Sequence, residues 1–310
     1  MGTKGISTTQ IAKICGVSQG TVDRALNGRK GINPQTREKI LNVAREYGYR
    51  PNIHARSIAG GKSQLIGVVV FDLKNQYFSD ILQKIEACCV SKGYSAVVMF
   101  TDKDHKKEIE CIKSLYHMAV DGIALCPINQ GEEYEKFLCS LNIPIVTFGN
   151  RLDRLPYVGI DNTSAVQDAV KEIIKKGYTS LIYVKPSLLE KNTFAQTERL
   201  NAFREICDAR QIPYTVTDLS HAEEFAKTLD RCAFLCPTDI YAMRLLSAAK
   251  QLQAGIIGFD NLRIIDELGL KLDSVAYNTE SAAQAIVDHI ISGTAISGSI
   301  HHSIVLRGSL

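Results

Sequence analysis

The side chains with chemical potential in this 310-residue chain stand at the ends of apolar runs. Asn75, Tyr77 and Phe78 follow Leu65–Phe71, Asp102 follows Ser95–Phe100, and Asn150 and Arg151 follow Pro144–Phe148. In the second half Lys191 and Thr193 follow Leu181–Val184, with Arg199 near the start of a helical stretch. Thr238 and Asp239 follow Ala233–Cys236, Asp260 follows Ile256–Phe259, and Asn278 follows Val275–Tyr277. Aromatic faces stack on the C–H side of a sugar ring while guanidinium, carboxylate and amide groups fork onto its hydroxyls, so this mixture suits a polyhydroxylated ligand. Each residue alone has a plainer reading. Tyr77 and Phe78 would pack under a helix, Arg151 and Arg199 would make surface ion pairs, and Asp260 would cap a helix. Their joint occurrence at run ends in both halves favours a cleft. No Ser/His/Asp set, carboxylate pair or metal cluster accompanies them, which argues against catalysis, and no cofactor is expected.

A second group with recognisable chemistry lies in the first thirty residues. Ile11, Ile14 and Cys15 recur at helical spacing and Gly16 stops that helix. Ser18 is a good N-cap for a helix through Thr21, Val22, Ala25 and Leu26, which Gly28 ends. Pro34 suits the first turn of a third helix with Ile40, Leu41, Ala44 and Tyr47 inward, closed by Gly48. Two short helices on a tight turn, braced by a third, make a helix-turn-helix unit. Its second helix would lie in the major groove with Gln19, Gly20 and Arg24 at base edges and Thr21 and Asn27 at phosphates. Arg24 suits bidentate binding to guanine and Gln19 to adenine.

The elements that must position the first group alternate. Apolar runs, with a further one at Gly122–Cys126, are separated by helical patterns at Phe78–Ser91, Thr163–Lys176, Phe194–Ala209, Asp239–Gln251 and Ser281–Ile291. Continuous apolar runs are typical of parallel strands buried on both faces, so an α/β fold with two doubly wound lobes is expected. Ligands in such sheets bind beyond the carboxyl ends of the strands. No GxGxxG follows any run, which disfavours a dinucleotide enzyme. Gly61-Lys62-Ser63 resembles the tail of a phosphate loop, but position 56 is Arg56 and no strand precedes it, so it reads as a linker. The charge run Lys103–Glu108 reads as a solvated helix start, and His301–His302 as a solvated loop.

Composition agrees with a globular chain of two or three domains: 45% hydrophobic and 22% charged residues. Residues 1–62 carry eleven Lys or Arg against Asp23, Glu38 and Glu46, a net of +8, while the remainder nets −5. A basic unit on a mildly acidic body points to a nucleic-acid anchor. Nine cysteines, an odd number without CxxC spacing, read as reduced thiols. Cys232 and Cys236 flank a strand-like run and read as structural. With no apolar leader and no run long enough to span a bilayer, a cytoplasmic protein without membrane contact is expected.

The chain resembles the lactose-repressor (LacI) family of transcription regulators. The resemblance runs through Gln10-Ile11-Ala12, Cys15-Gly16-Val17-Ser18, Thr21-Val22, Arg24-Ala25-Leu26-Asn27-Gly28, Tyr49-Arg50-Pro51-Asn52 and Ala55-Arg56-Ser57. It implies a helix-turn-helix domain over 1–50 and a hinge helix and linker over 51–62. An effector-binding domain follows over 63–310, with lobe one about 63–160 and 279–300 and lobe two about 161–278 and 301–310. It further implies DNA contacts from Asn52, Ala55 and Arg56, and a minor-groove wedge at Ile58 where the family usually has leucine. Asp23 stands where serine is usual. The body is similar to sugar-binding proteins of the ribose type, whose ligand contacts match Asn75, Tyr77, Phe78, Arg151, Arg199, Asp260 and, conservatively, Asn278. Asn150 replaces an aspartate and Thr238 an asparagine, and Leu219 stands in place of a stacking aromatic. Glu190-Lys191-Asn192-Thr193 resembles the purine-responsive branch. The implied protein is a ligand-responsive, sequence-specific repressor of sugar or sugar-alcohol utilisation genes that binds a palindromic operator as a homodimer and answers a sugar or sugar derivative. A cytoplasmic solute-binding protein, or the same regulator answering a purine, are the alternatives.

Overall fold

The computed structural model describes residues 6–26, 28–49, 61–186, 194–296 and 299–310. The chain forms two units, Met1–Ser63 and Gln64–Leu310. In the first, α1 (Thr8–Cys15), α2 (Gln19–Leu26) and α3 (Pro34–Glu46) pack around Ile11, Cys15, Val22, Ala25, Ile40 and Ala44. Ser7 and Gln10 make a reciprocal capping box, and Gly16, at φ +71°, turns the chain out of α1. Ser18 Oγ accepts from Thr21 N at 3.2 Å, and Asn33 caps α3 ahead of Pro34. Two apolar side chains depart from the periodic reading: Ile14 and Tyr47 are about half exposed. Ile14 flanks a stripe centred on Ile11 and Cys15, and Tyr47 is the C-cap, past the last helical turn.

The larger unit contains two sheets. In lobe one, β1 (Leu65–Val70), β2 (Ser95–Phe100), β3 (Gly122–Leu125), β4 (Ile145–Phe148) and β5 (Tyr157–Val158) are parallel in the order β2-β1-β3-β4-β5. In lobe two, β6 (Ser180–Lys185), β7 (Tyr214–Asp218), β8 (Cys232–Leu235), β9 (Gly255–Phe259), β10 (Asp273–Tyr277) and β11 (His302–Val305) follow the order β11-β10-β9-β8-β6-β7. Only β11 runs antiparallel to its neighbour in this sheet. Strands β3, β4, β8 and β9 are buried throughout because helices cover both faces.

Among the helices of lobe one, α4 (Gln76–Ser91), α5 (His105–His117) and α6 (Glu132–Ser140) are joined by α12 (Thr279–Ser292) from far along the chain, which packs on α4. A Cβ on Gly122 would stand 2.6 Å from Ile290 and 2.8 Å from the Pro144 carbonyl, so glycine is what lets α12 lie against β3. Lobe two carries α7 (Asn162–Lys175), α8 (Phe194–Arg210), α9 (Ala222–Ala226), α10 (Asp239–Gln251) and α11 (Arg263–Glu267). The chain passes between the sheets three times, and a parallel bridge between Ile160 and Ile300 ties two of the passages together.

Two sequence expectations are corrected here. The run Lys103–Glu108 is not wholly solvated: Asp104 caps α5, and Glu108 is fully buried. Its carboxylate accepts from Ile128 N, Asn129 N and Tyr134 Oη, holding the β3–α6 loop in place. His302 is not in a loop but opens β11, with Nε2 3.1 Å from Asp168 Oδ2 on α7. All nine cysteines carry free thiols, eight of them buried. Among the described residues, no helix is long and apolar enough to cross a membrane.

Candidate functional site

A cavity of about 400 Å³ lies beyond the carboxyl ends of strands from both sheets. Phe71 closes β1 on one side, and Asp260 and Tyr277 follow or end β9 and β10 on the other. Phe78 packs edge-on against Phe71 and Tyr77, with centroids 4.6 and 5.0 Å apart, and Tyr77 meets Tyr277 at 5.2 Å. The wall is therefore aromatic with polar groups set into it, as a sugar site requires.

Asp260 is the polar centre. Its Oδ2 accepts from Asn75 Nδ2 at 2.7 Å and its Oδ1 from Tyr277 Oη at 3.0 Å, with Arg199 Nη1 3.9 Å from Oδ1. Asn75 also caps α4, its Oδ1 accepting from Tyr77 N, so one side chain fixes the helix and reaches across to lobe two. Arg199, 6% exposed, donates from Nε to Asn162 Oδ1 and from Nη1 to the Pro237 carbonyl, and lies 4.3 Å over the Phe259 ring. Burial raises the Asp260 pKa, and Arg199, Asn75 and Tyr277 only partly oppose that rise. Burial acts to lower the Arg199 pKa, but Asp260 and the surrounding phenols more than offset it and keep the guanidinium charged.

The turn that presents Asp260 is strained. Asp260 and Asn261 have φ of +100° and +48°, a region L-residues avoid at a cost of about 1–3 kcal/mol each. A network behind the turn holds it. Asn261 N donates to Ser274 Oγ, Leu262 N to Asp239 Oδ2 and Ser274 Oγ to Asp239 Oδ1, while Arg307 reaches Asn261 Oδ1 at 2.8 Å and Asp266. Burial, and then the nearby charge of Asp260, push the Asp239 carboxyl up to about 8. A free carboxyl titrates near 4, so between about pH 4 and 8 the folded chain holds a proton that the unfolded chain has lost. Stability from this group is full below that window and is lost as pH rises through it. Asp239→Asn, which can still accept from Leu262 N, is therefore expected to flatten the fall in melting temperature as pH rises from about 4 to about 8; an unaltered fall would place the slope elsewhere.

Asn75, Tyr77, Phe78, Asn150, Arg199, Thr238 and Asp260 come together around this cavity. Asn150 is buried, donating to the Pro127 carbonyl and accepting from Ala195 N of lobe two. Thr238 precedes α10 without a side-chain cap bond. Asp102, Arg151 and Asn278 are not brought in. Asp102 is exposed at φ +52° and paired with Lys107, because the chain turns outward before α5. Arg151 is exposed. Asn278 caps α12 and faces a separate polar pocket. Leu219 packs at the edge of the core instead of lining the cavity. Lys191 and Thr193 lie outside the described residues. Sequence reading missed Tyr157, Asn162, Tyr241 and Arg244: Tyr157 and Asn162 follow no long apolar run, while Tyr241 and Arg244 lie inside the helix that follows Ala233–Cys236; Asn162, at a helix start beside Asp161, was the most accessible to it.

In the smaller unit, α2 exposes Gln19, Gly20 and Arg24, with Thr21 half-buried. Gln19 Nε2 donates to Thr8 Oγ1 and Arg24 Nε to the Gly20 carbonyl, while Asp23 pairs with Arg29 at 3.5 Å. Asn27, Asn52, Ala55, Arg56 and Ile58, with the expected hinge helix, lie outside the described residues.

Two parallel-sheet lobes, three strand crossings and a cleft at the strand ends define the class of two-lobed small-molecule-binding proteins. A family model of periplasmic binding proteins and the sugar binding domain of the LacI family matches residues 63–254, and a model of bacterial regulatory proteins of the lacI family matches residues 9–52. The chain belongs to the LacI family of bacterial transcription regulators, DNA-binding proteins with a sugar-binding-type domain. It is 26% identical to catabolite control protein A of Priestia megaterium, with 95% of each chain covered. It is 28% identical to the HTH-type transcriptional regulator DegA of Bacillus subtilis, with 86% of this chain and 85% of that one covered. In fold it is similar to a Lac repressor dimer bound to operator and the anti-inducer ONPF (TM-score 0.81, 19% identity, 99% and 100% covered). It is also similar to a periplasmic binding protein/LacI regulator of Alkaliphilus metalliredigens complexed with D-xylulofuranose (TM-score 0.66, 22% identity, 78% and 97% covered).

Proposed function

We propose that this chain is a sugar-responsive repressor that binds a palindromic operator as a homodimer and takes its effector in the cleft around Asp260. The observation that carries this reading is the bond from Asn75 to Asp260. The polar wall suited to a sugar is also a contact between the lobes, so a ligand hydroxyl that engages either side chain alters lobe closure. An effector acts only through its differential affinity for the two states, and this contact supplies one. The sugar-bound relative supports the ligand class, and the operator-bound dimer supports the DNA partner. In the dimer, two copies of α2 would enter successive major grooves.

Selection of an operator from random duplex, followed by retardation of that duplex with and without sugars, tests the reading. Arg24→Ala is expected to weaken specific binding by about 1–3 kcal/mol and to relax preference at one base pair, leaving non-specific affinity little changed. An unaltered consensus would remove α2 from the groove. Failure to bind any duplex would leave a solute-binding protein.

A further inference from the structure

The sugar cleft carries positive charge that its own wall does not use. Inside it, Arg199 and Asp260 answer each other. Lys74 and Lys103 of lobe one and Arg244 of lobe two also line it, against one further carboxylate, Asp72. None of these three cations has a carboxylate within ion-pair distance among the described residues. Lys103 stands 5.3 Å over the Phe71 ring and Arg244 6.0 Å over the Tyr241 ring. Some other cations of the same unit are paired, among them Lys92 with Asp288, Arg154 with Glu132, Lys171 with Asp168 and Arg307 with Asp266, and what sets Lys74, Lys103 and Arg244 apart is that they line one cavity. Carboxylates are not scarce there, since the chain beyond residue 62 nets −5. Three unpaired cations at the mouth of one cleft, on a body of opposite net charge, focus the field on an incoming anion.

Resting on the sugar-cleft reading above, we infer that the effector is an anionic sugar, one that carries a carboxylate or a phosphate ester. Its ring lies against Tyr77 and Phe78 with its hydroxyls on Asp260, and its anionic group sits at the mouth among Lys74, Lys103 and Arg244. The cations come from both lobes, so the same anion draws the lobes together. Charge thus contributes to closure as well as to affinity. A cavity of about 400 Å³ has room for a monosaccharide with such a substituent.

Titration calorimetry of the full chain with matched probes tests this: glucose, glucuronate and glucose 6-phosphate; galactose and galacturonate; ribose and ribose 5-phosphate; and inorganic phosphate alone. The acidic member of at least one set is expected to bind about tenfold or more tighter than its neutral partner, a preference that weakens with added salt. The uronate and phosphate arms tell the two anion sources apart. Lys74→Gln/Lys103→Gln/Arg244→Gln is expected to melt as the wild type does, because these side chains are exposed or half-exposed, and to lose the preference. Neutral sugars binding as tightly as their acidic partners would overturn the inference and leave the sugar-cleft reading standing. Inorganic phosphate binding as tightly as the sugar phosphates would reduce the mouth to a bare anion site and overturn it too. Binding of no sugar from any set would overturn the sugar-cleft reading, and the inference with it.

Discussion

Arg199→Ala is expected to destabilise the larger unit by about 3–5 kcal/mol, because it strands three buried groups together. Asp260 loses its cation, and Asn162 Oδ1 and the Pro237 carbonyl lose their donors. For a unit of this size that corresponds to a fall in melting temperature of roughly 10 °C. Arg199→Met with Asp260→Asn removes charge from both sides at once and is expected to recover a large part of the loss. Calorimetric melting of the three proteins decides the matter. Should Arg199→Ala melt at the wild-type temperature, the pair is solvated and is no anchor of the site.

The largest expected functional effect belongs to Asp260→Asn. Asparagine tolerates the left-handed backbone at this position and keeps an acceptor for Tyr277, so the fold and operator binding should persist. The charged acceptor for ligand hydroxyls is gone, and a charged hydrogen bond is worth about 1.5–3 kcal/mol. A sugar that releases or tightens the wild-type operator complex is then expected to be needed at about tenfold or more higher concentration. Retardation of the operator across a sugar titration reads this directly. A wild-type response would make Asp260 a turn residue only.

These two residues show what sequence could and could not reveal. Strands buried on both faces write themselves as apolar runs, so β1, β3, β4, β8 and β9 were legible, and with them the strand-end positions of Asn75 and Asp260. Edge strands do so unevenly: β2 is legible as Ser95–Phe100, but β7 alternates polar residues, β5 is two residues long, and β11 begins with a histidine paired to Asp168. Glu108 looked solvated because charge patterns record only residue type, while its partners come from the Ile128–Tyr134 segment. Asp102 and Arg151 occupy strand ends as expected, but strand-end position says nothing of the direction in which the next turn leaves. The left-handed pair at Asp260 and Asn261 had only a weak signal, the tolerance of Asp and Asn for that backbone, because the network holding them reaches to Arg307.

The passage of α12 into lobe one sets an order on synthesis. When residues up to β5 have left the ribosome, lobe one still lacks the helix that covers α4 and β3, and that helix is complete only at Ser292. By then every strand of lobe two except β11 has emerged. Neither lobe can finish before these segments appear, so the two mature together only once Ser292 and then β11 have emerged. Until then the apolar face of α4 stays open, and the incomplete chain is a natural client for chaperones that shield such surfaces.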